Sequence, residues 1–229
     1  MIKVLELFSG TKSVGKCCDQ LGWESVSVDM ILPADHQCDI MNFDYKQYPK
    51  DYFDIVWASP PCTAYSNLQN CWLNRKKKDG TIFTKEKMES DMNDADLIVK
   101  RTLEIIDYFD TEYWFMENPK TGKLKNRCIM KDKPFYDVDY CMYSDWGYKK
   151  RTRIWTNKKD WVGKLCDGSG ACGNMIQSQK KHKLNVAKDV HTIGEKKHKI
   201  KMDKIGSGSQ LNQPKDLKYL GKGTNRIDR

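Results

Sequence analysis

The clearest chemical potential in this chain belongs to a thiol and a carboxylate, each standing at the end of an apolar run. Cys62 closes the turn Ser59-Pro60-Pro61-Cys62, directly after Phe53-Asp54-Ile55-Val56-Trp57-Ala58. The prolines end ladder hydrogen bonding and stiffen the backbone, so the thiol is held in place. Glu117 opens Glu117-Asn118-Pro119 after Glu112-Tyr113-Trp114-Phe115-Met116. A positioned thiolate can add to an electron-poor carbon, and an acid beside it stabilises the charge that addition creates. Desolvation at a strand end favours a carboxyl that keeps its proton, which suits Glu117 to that part. The plainer readings are a cysteine that fills core space and a carboxylate that caps its own turn.

The two side chains meet only if both runs are neighbouring strands that end on one edge. A strand-like run over residues 2–8 breaks into Ser9-Gly10-Thr11-Lys12-Ser13-Val14-Gly15 and a helical stretch through Leu21. A second strand, 25–28, ends at Asp29, and a third element comes near Cys38-Asp39-Ile40. Residues 91–108 have apolar positions at helical spacing, with one face to bury. Strand, helix, strand, helix predicts an α/β fold with a mostly parallel sheet and right-handed crossovers, in which ligands bind beyond the C-terminal strand ends. Glu6 and the small residues Ser9 and Gly10 lie at one such end, and Asp29 stands where nucleotide folds bind ribose hydroxyls. A glycine turn that merely links strand to helix reads the same way.

The 229 residues suffice for one core with a small appendage. The net charge of +9 is unevenly placed: residues 1–148 carry 19 basic and 24 acidic side chains, residues 149–229 carry 21 and 7. The basic portion, 149–229, is where a polyanion would dock. Nine cysteines without regular spacing indicate free thiols in a reducing compartment. No apolar stretch is long enough to cross a bilayer and no signal-peptide pattern is present, so a soluble intracellular protein is expected, in the cytoplasm or in a host nucleus.

Taken in order over residues 1–156, the motifs resemble the cytosine-C5 methyltransferase family. Glu6-Leu7-Phe8-Ser9-Gly10 is similar to the S-adenosylmethionine-binding turn, Asp29 to the ribose acid, with Met30 after it, and Asp39-Ile40 to the adenine-contacting pair. Ser59-Pro60-Pro61-Cys62 is similar to the nucleophile motif and Glu117-Asn118-Pro119 to the acid motif; Gly147 through Arg153 resembles an arginine motif that precedes a strand. The resemblance implies a Rossmann-like catalytic and cofactor-binding domain over 1–156, with Ser59 and Pro60 also bordering the cofactor. It implies methyl transfer to carbon 5 of cytosine in DNA. Cys62 would add to carbon 6 of the base, Glu117 engage nitrogen 3 and the exocyclic amine, Arg153 hold O2, and Arg151 order the site. Base flipping follows for a duplex substrate. Residues 63–80, with Arg75, Lys76, Lys77 and Lys78, would close over the DNA. No obligate protein partner and no membrane is implied. RNA methylation by the same thiol chemistry and a non-catalytic nucleic-acid scaffold are the alternatives. Thr63, Met30, Pro119 and Lys149 depart from the residues usual in the family.

Residues 157–229 read as a reduced, basic target-recognition and C-terminal region, either truncated or with its closing element replaced. Cys166, Cys172, His182, His191 and His198 are residue types that bind zinc. Their spacing matches no paired-cysteine signature, so a loop of free thiols without metal is the expectation.

Overall fold

The computed structural model describes residues 1–76, 79–145 and 147–183. The apolar runs become strands β1 (Lys3–Leu7), β2 (Glu24–Asp29), β4 (Ile55–Ala58) and β5 (Tyr113–Pro119), with a two-residue β3 (His36–Gln37) and two further strands, β6 (Phe135–Asp139) and β7 (Arg151–Thr156). They form one sheet in the order β3-β2-β1-β4-β5-β7-β6. The pairs β2–β3, β1–β2, β1–β4 and β4–β5 are parallel, and β7 enters antiparallel between β5 and β6. Strands β1 and β4 are central, and Val4, Leu5, Leu7, Val56, Trp57 and Ala58 are all buried. This explains why their sequences read as continuous apolar runs rather than alternating ones. Strand order reverses between β1 and β4, and a crevice opens at such a switch point.

Helix α1 (Ser13–Leu21) follows β1 and ends on Gly22, whose φ of 70° permits the closing bonds to Asp19 and Cys18 carbonyls. Helix α2 (Lys85–Phe109) starts earlier than the apolar spacing suggested, because the Thr84 side chain accepts the Lys87 amide and caps a polar first turn. Met92, Ala95, Val99, Leu103 and Ile106 form its buried stripe against the core that holds Leu5, Val56 and Met116.

Three expectations change. The third element is a strand at 36–37, two residues before the expected place, and Ile40 sits in the core at 5% exposure. The arginine segment does not precede a strand, since Arg151 and Arg153 lie within β7. Beyond Thr156 the chain packs back on the sheet. Asn157 binds the Trp114 amide and the Glu112 carbonyl, Trp161 enters the core, and the Lys164 carbonyl accepts the Asp139 amide. A Cβ at Gly163 would lie 2.2 Å from the Asp137 carbonyl oxygen, so only glycine passes there. A small hairpin, β8 (Met175–Ile176) with β9 (Lys181–His182), follows.

Candidate active site

Cys62 stands beyond the end of β4 and is exposed. Its turn is fastened on three sides. The Ser59 amide donates to the Leu7 carbonyl, the Tyr65 amide to the Cys62 carbonyl at 3.1 Å, and the Asn118 carboxamide to the Pro60 carbonyl at 3.0 Å. Tyr65 is fully buried, and its hydroxyl donates to Asp96 of α2 at 2.8 Å. Arg127 donates to the same Asp96 at 2.8 Å and to Glu89 and Asn93 at 2.6 Å each. The thiol's position is therefore tied to helix α2.

Glu117 lies in β5, parallel to β4 and beside it, at 7% exposure. Lys150 Nζ donates to its Oε1 at 3.1 Å, and both side chains are largely buried. Although Cys62 is exposed as a residue, protein around its sulfur lifts the thiol above its ordinary range. The Glu117 carboxylate adds to that rise and the Lys150 ammonium opposes it. Cys62, Glu117 and Lys150 thus share one electrostatic site. Lys150 was not foreseen among the lysines; only the antiparallel seating of β7 beside β5 brings it to Glu117.

The two arginines have other partners. Arg151 donates twice to Asp139, at 2.8 and 2.6 Å, and Arg153 twice to Asp137, at 2.9 and 3.1 Å, with its guanidinium 3.5 Å from the Phe135 ring centroid. These pairs follow from the register, which sets Arg151 opposite Asp139 and Arg153 opposite Asp137. Strand alternation turns them to the face opposite Lys150. Arg153 is thereby a bidentate anchor between β6 and β7. Burial alone would push Asp139 up. Hydrogen bonds from Arg151 and the Cys166 amide, with the Lys149 and Arg151 charges, outweigh it and hold the carboxyl below the usual range.

The turn after β1 is unusual in its backbone. Phe8, Gly10 and Lys12 have φ of 59°, 52° and 54°, and a bulky residue such as Phe8 adopts that region only under constraint. Glu6, expected in the cofactor-binding turn, is enclosed at 1% exposure, and its carboxylate accepts the Val14 and Gly15 amides at 3.1 and 2.9 Å. Asp29 braces the same turn by accepting the Gly10 amide at 2.8 Å, and its other oxygen takes the Ile31 and Leu32 amides. Met30 and Ile31, at 60% and 68% exposure, project beyond β2. Asp39 caps a turn through the Met41 amide, and Ile40 packs in the core. Ser9 Oγ and Asn118 Oδ1 are buried without a hydrogen-bond partner, both near the C-terminal ends of β1 and β5.

In the 63–80 segment a 3-10 turn over Asn67–Trp72 exposes Leu68 and Trp72, and Arg75 stacks 5.8 Å from the Trp72 ring. Lys77 and Lys78 lie outside the described residues, as do His191 and His198. Cys166, Cys172 and His182 come together, joined by Cys141, which the sequence did not single out.

No family model matches the chain. Among solved structures it is similar to a mutant of Spodoptera frugiperda DNMT2 (TM-score 0.43, 14% identity, 73% of this chain and 56% of that one). It is also similar to the Entamoeba histolytica methyltransferase EhMeth (0.46, 13%, 72% and 57%) and to S. pombe Dnmt2 methyltransferase (0.43, 10%, 72% and 52%). The chain spans little more than half the length of these three. Over 177 residues, 76% of this chain and 79% of the relative, it is 41% identical to a protein of Frog virus 3 (isolate Goorha) described as a probable DNA (cytosine-5)-methyltransferase. At that identity and coverage, the chain belongs to the cytosine-C5 methyltransferase family.

Proposed function

We propose that this chain transfers a methyl group from S-adenosylmethionine to carbon 5 of cytosine in DNA, through a covalent bond to Cys62. The observation that carries the reading is the shared electrostatic site of Cys62, Glu117 and Lys150 at adjacent strand ends. The Cys62 thiol gives its proton to solvent and its sulfur adds to carbon 6 of the base, while the Glu117 side chain, positioned by Lys150, passes a proton from solvent to nitrogen 3, so the adduct is neutral and carbon 5 becomes nucleophilic. S-adenosylmethionine, when bound, supplies a methyl group activated by its sulfonium. Loss of the carbon 5 proton to solvent, return of the nitrogen 3 proton and expulsion of the Cys62 thiolate then complete the exchange of one proton for one methyl group. Lys150 is a positioning residue for Glu117, and Arg151 and Arg153 hold β7 in register beside it.

The first turn fits the cofactor in part. The left-handed Phe8, Gly10 and Lys12, the partnerless Ser9 Oγ, and the apolar Met30 and Ile31 beyond β2 suit a nucleoside with a charged tail. Asp29 would reach its ribose, while Glu6 supports the turn from beneath. DNA is preferred to RNA because the Frog virus 3 relative is described as acting on DNA.

The test is transfer of a labelled methyl group to duplex DNA, single-stranded DNA and tRNA, by wild type and Cys62→Ala. Duplex DNA is expected to be the best substrate, with a loss on the order of 10³-fold or more in the variant. DNA carrying 5-fluorocytosine should trap a covalent adduct. Transfer that survives loss of the thiol overturns the mechanism, and a preference for tRNA overturns the substrate.

A further inference from the structure

We propose that Cys141, Cys166, Cys172 and His182 form a structural zinc site, which fastens the segment after β7 to the body of the protein. The three sulfurs and one imidazole nitrogen all lie within 4.8 Å of one another. His182 Nε2 is 3.6 Å from Cys166 Sγ and 3.7 Å from Cys172 Sγ. Zinc bonds of about 2.3 Å to sulfur and about 2.0 Å to nitrogen give a tetrahedron with S···N edges of about 3.5 Å and S···S edges of about 3.8 Å. The side chains already stand near those separations. Three thiols and one histidine are also a complete ligand set for a closed structural site, with no position left for substrate.

The frame around the cluster is built from other contacts. Asn174, at 2% exposure, donates through its carboxamide to the carbonyls of Cys141, Ser144 and Cys172 at 2.8, 2.8 and 2.9 Å, and accepts the Gly147 amide at 2.9 Å. The Cys166 amide donates to the buried Asp139 carboxylate, and Lys149 Nζ donates to the Cys166 carbonyl at 2.7 Å. Three thiolates and a neutral imidazole around a dication leave one negative charge, which the Lys149 ammonium faces. The thiols release their protons to water as the ion binds.

The segment needs such a fastening. Between Leu165 and Lys183, Cys166 and Asn174 are the only buried residues among those whose side chains are described, so this stretch has almost no apolar core of its own. Its sole hairpin, β8 with β9, has strands of two residues each, too short to be stable alone. A metal is a common substitute where a hydrophobic core is missing. The ligands were not legible as a set because Cys141 precedes β7 and the others follow it.

Zinc content is measured on the full chain, purified with reductant, and does not depend on methyl transfer. About one zinc per chain is expected, and cobalt added to metal-stripped protein should give the thiolate-to-cobalt charge-transfer and visible bands of a tetrahedral site. Cys166→Ser and Cys172→Ser should lower bound zinc at least tenfold. His182→Cys, which supplies a fourth thiolate, should keep it, as should Cys71→Ser and Cys128→Ser at exposed thiols outside the cluster. If the ligand variants do not fold, the wild-type measurements decide. Reduced wild-type protein that holds no zinc and gives no tetrahedral cobalt spectrum overturns the proposal. Full zinc content in Cys172→Ser, or a Cys166–Cys172 disulfide in place of metal, overturns it equally.

Discussion

Glu6 and Glu117 are both buried carboxylates near strand ends, and their neighbours give them different work. Lys150 donates to Glu117 beside the thiol, whereas Glu6 accepts only backbone amides at close range. Burial pushes the Glu6 carboxyl up to about 7, against the pull of the Gly15 and Val14 amides and the Lys12 and Lys16 charges. The unfolded chain releases that proton near pH 4 to 5. A raised folded-state pKa means that the Glu6 contribution to stability is complete below the unfolded value and lost as pH rises through about 7. Its size is on the order of 3 kcal/mol. Urea unfolding should therefore show a stability that declines from about pH 5 to pH 8 and a Glu6→Gln variant that lacks this decline. An unchanged slope in the variant would mean that Glu6 does not titrate in that range.

At the scale of elements, the position of Cys62 depends on the contact between the turn after β4 and helix α2. Tyr65 carries that contact through its hydroxyl on Asp96, while its carbonyl accepts the Lys123 amide at 2.8 Å. Tyr65→Phe leaves the Asp96 oxygen without its hydroxyl donor and should cost about 2 kcal/mol in urea unfolding. It should also reduce kcat more than it raises KM, because the turn that holds Cys62 loosens while the substrate surface is unchanged. A fall in stability with normal kcat would limit Tyr65 to a role in packing. The strands β1, β4 and β5 and both helices were legible in the sequence, since continuous apolar runs and helical stripes are local signals. Strand β6, Phe135-Tyr136-Asp137-Val138-Asp139, was not, because its two carboxylates make it look like a loop until the arginines of β7 are set opposite them.

Across the whole molecule the charge is divided, and the basic residues after 148 lie on the side of the sequence that carries β7 and three of the four residues of the cysteine–histidine cluster. A protein that binds DNA through such residues displaces counterions, so its affinity should fall steeply with salt. For the full chain on duplex DNA, a loss of about 10²-fold or more is expected between about 50 and 200 mM salt, measured by fluorescence anisotropy. Affinity that is flat over this range would count against backbone contacts by the basic region. No helix among the described residues is long and apolar enough to cross a membrane. The order of motifs and the stiff turn that presents Cys62 were determined by the amino-acid sequence alone, because both depend on short-range patterns. The Glu117–Lys150 pair, the commitment of Arg151 and Arg153 to Asp139 and Asp137, and the meeting of Cys141 with Cys166, Cys172 and His182 were decided by tertiary structure. Each joins residues from separate elements, and only the insertion of antiparallel β7 between β5 and β6, with the chain folding back behind it, brings them within bonding distance.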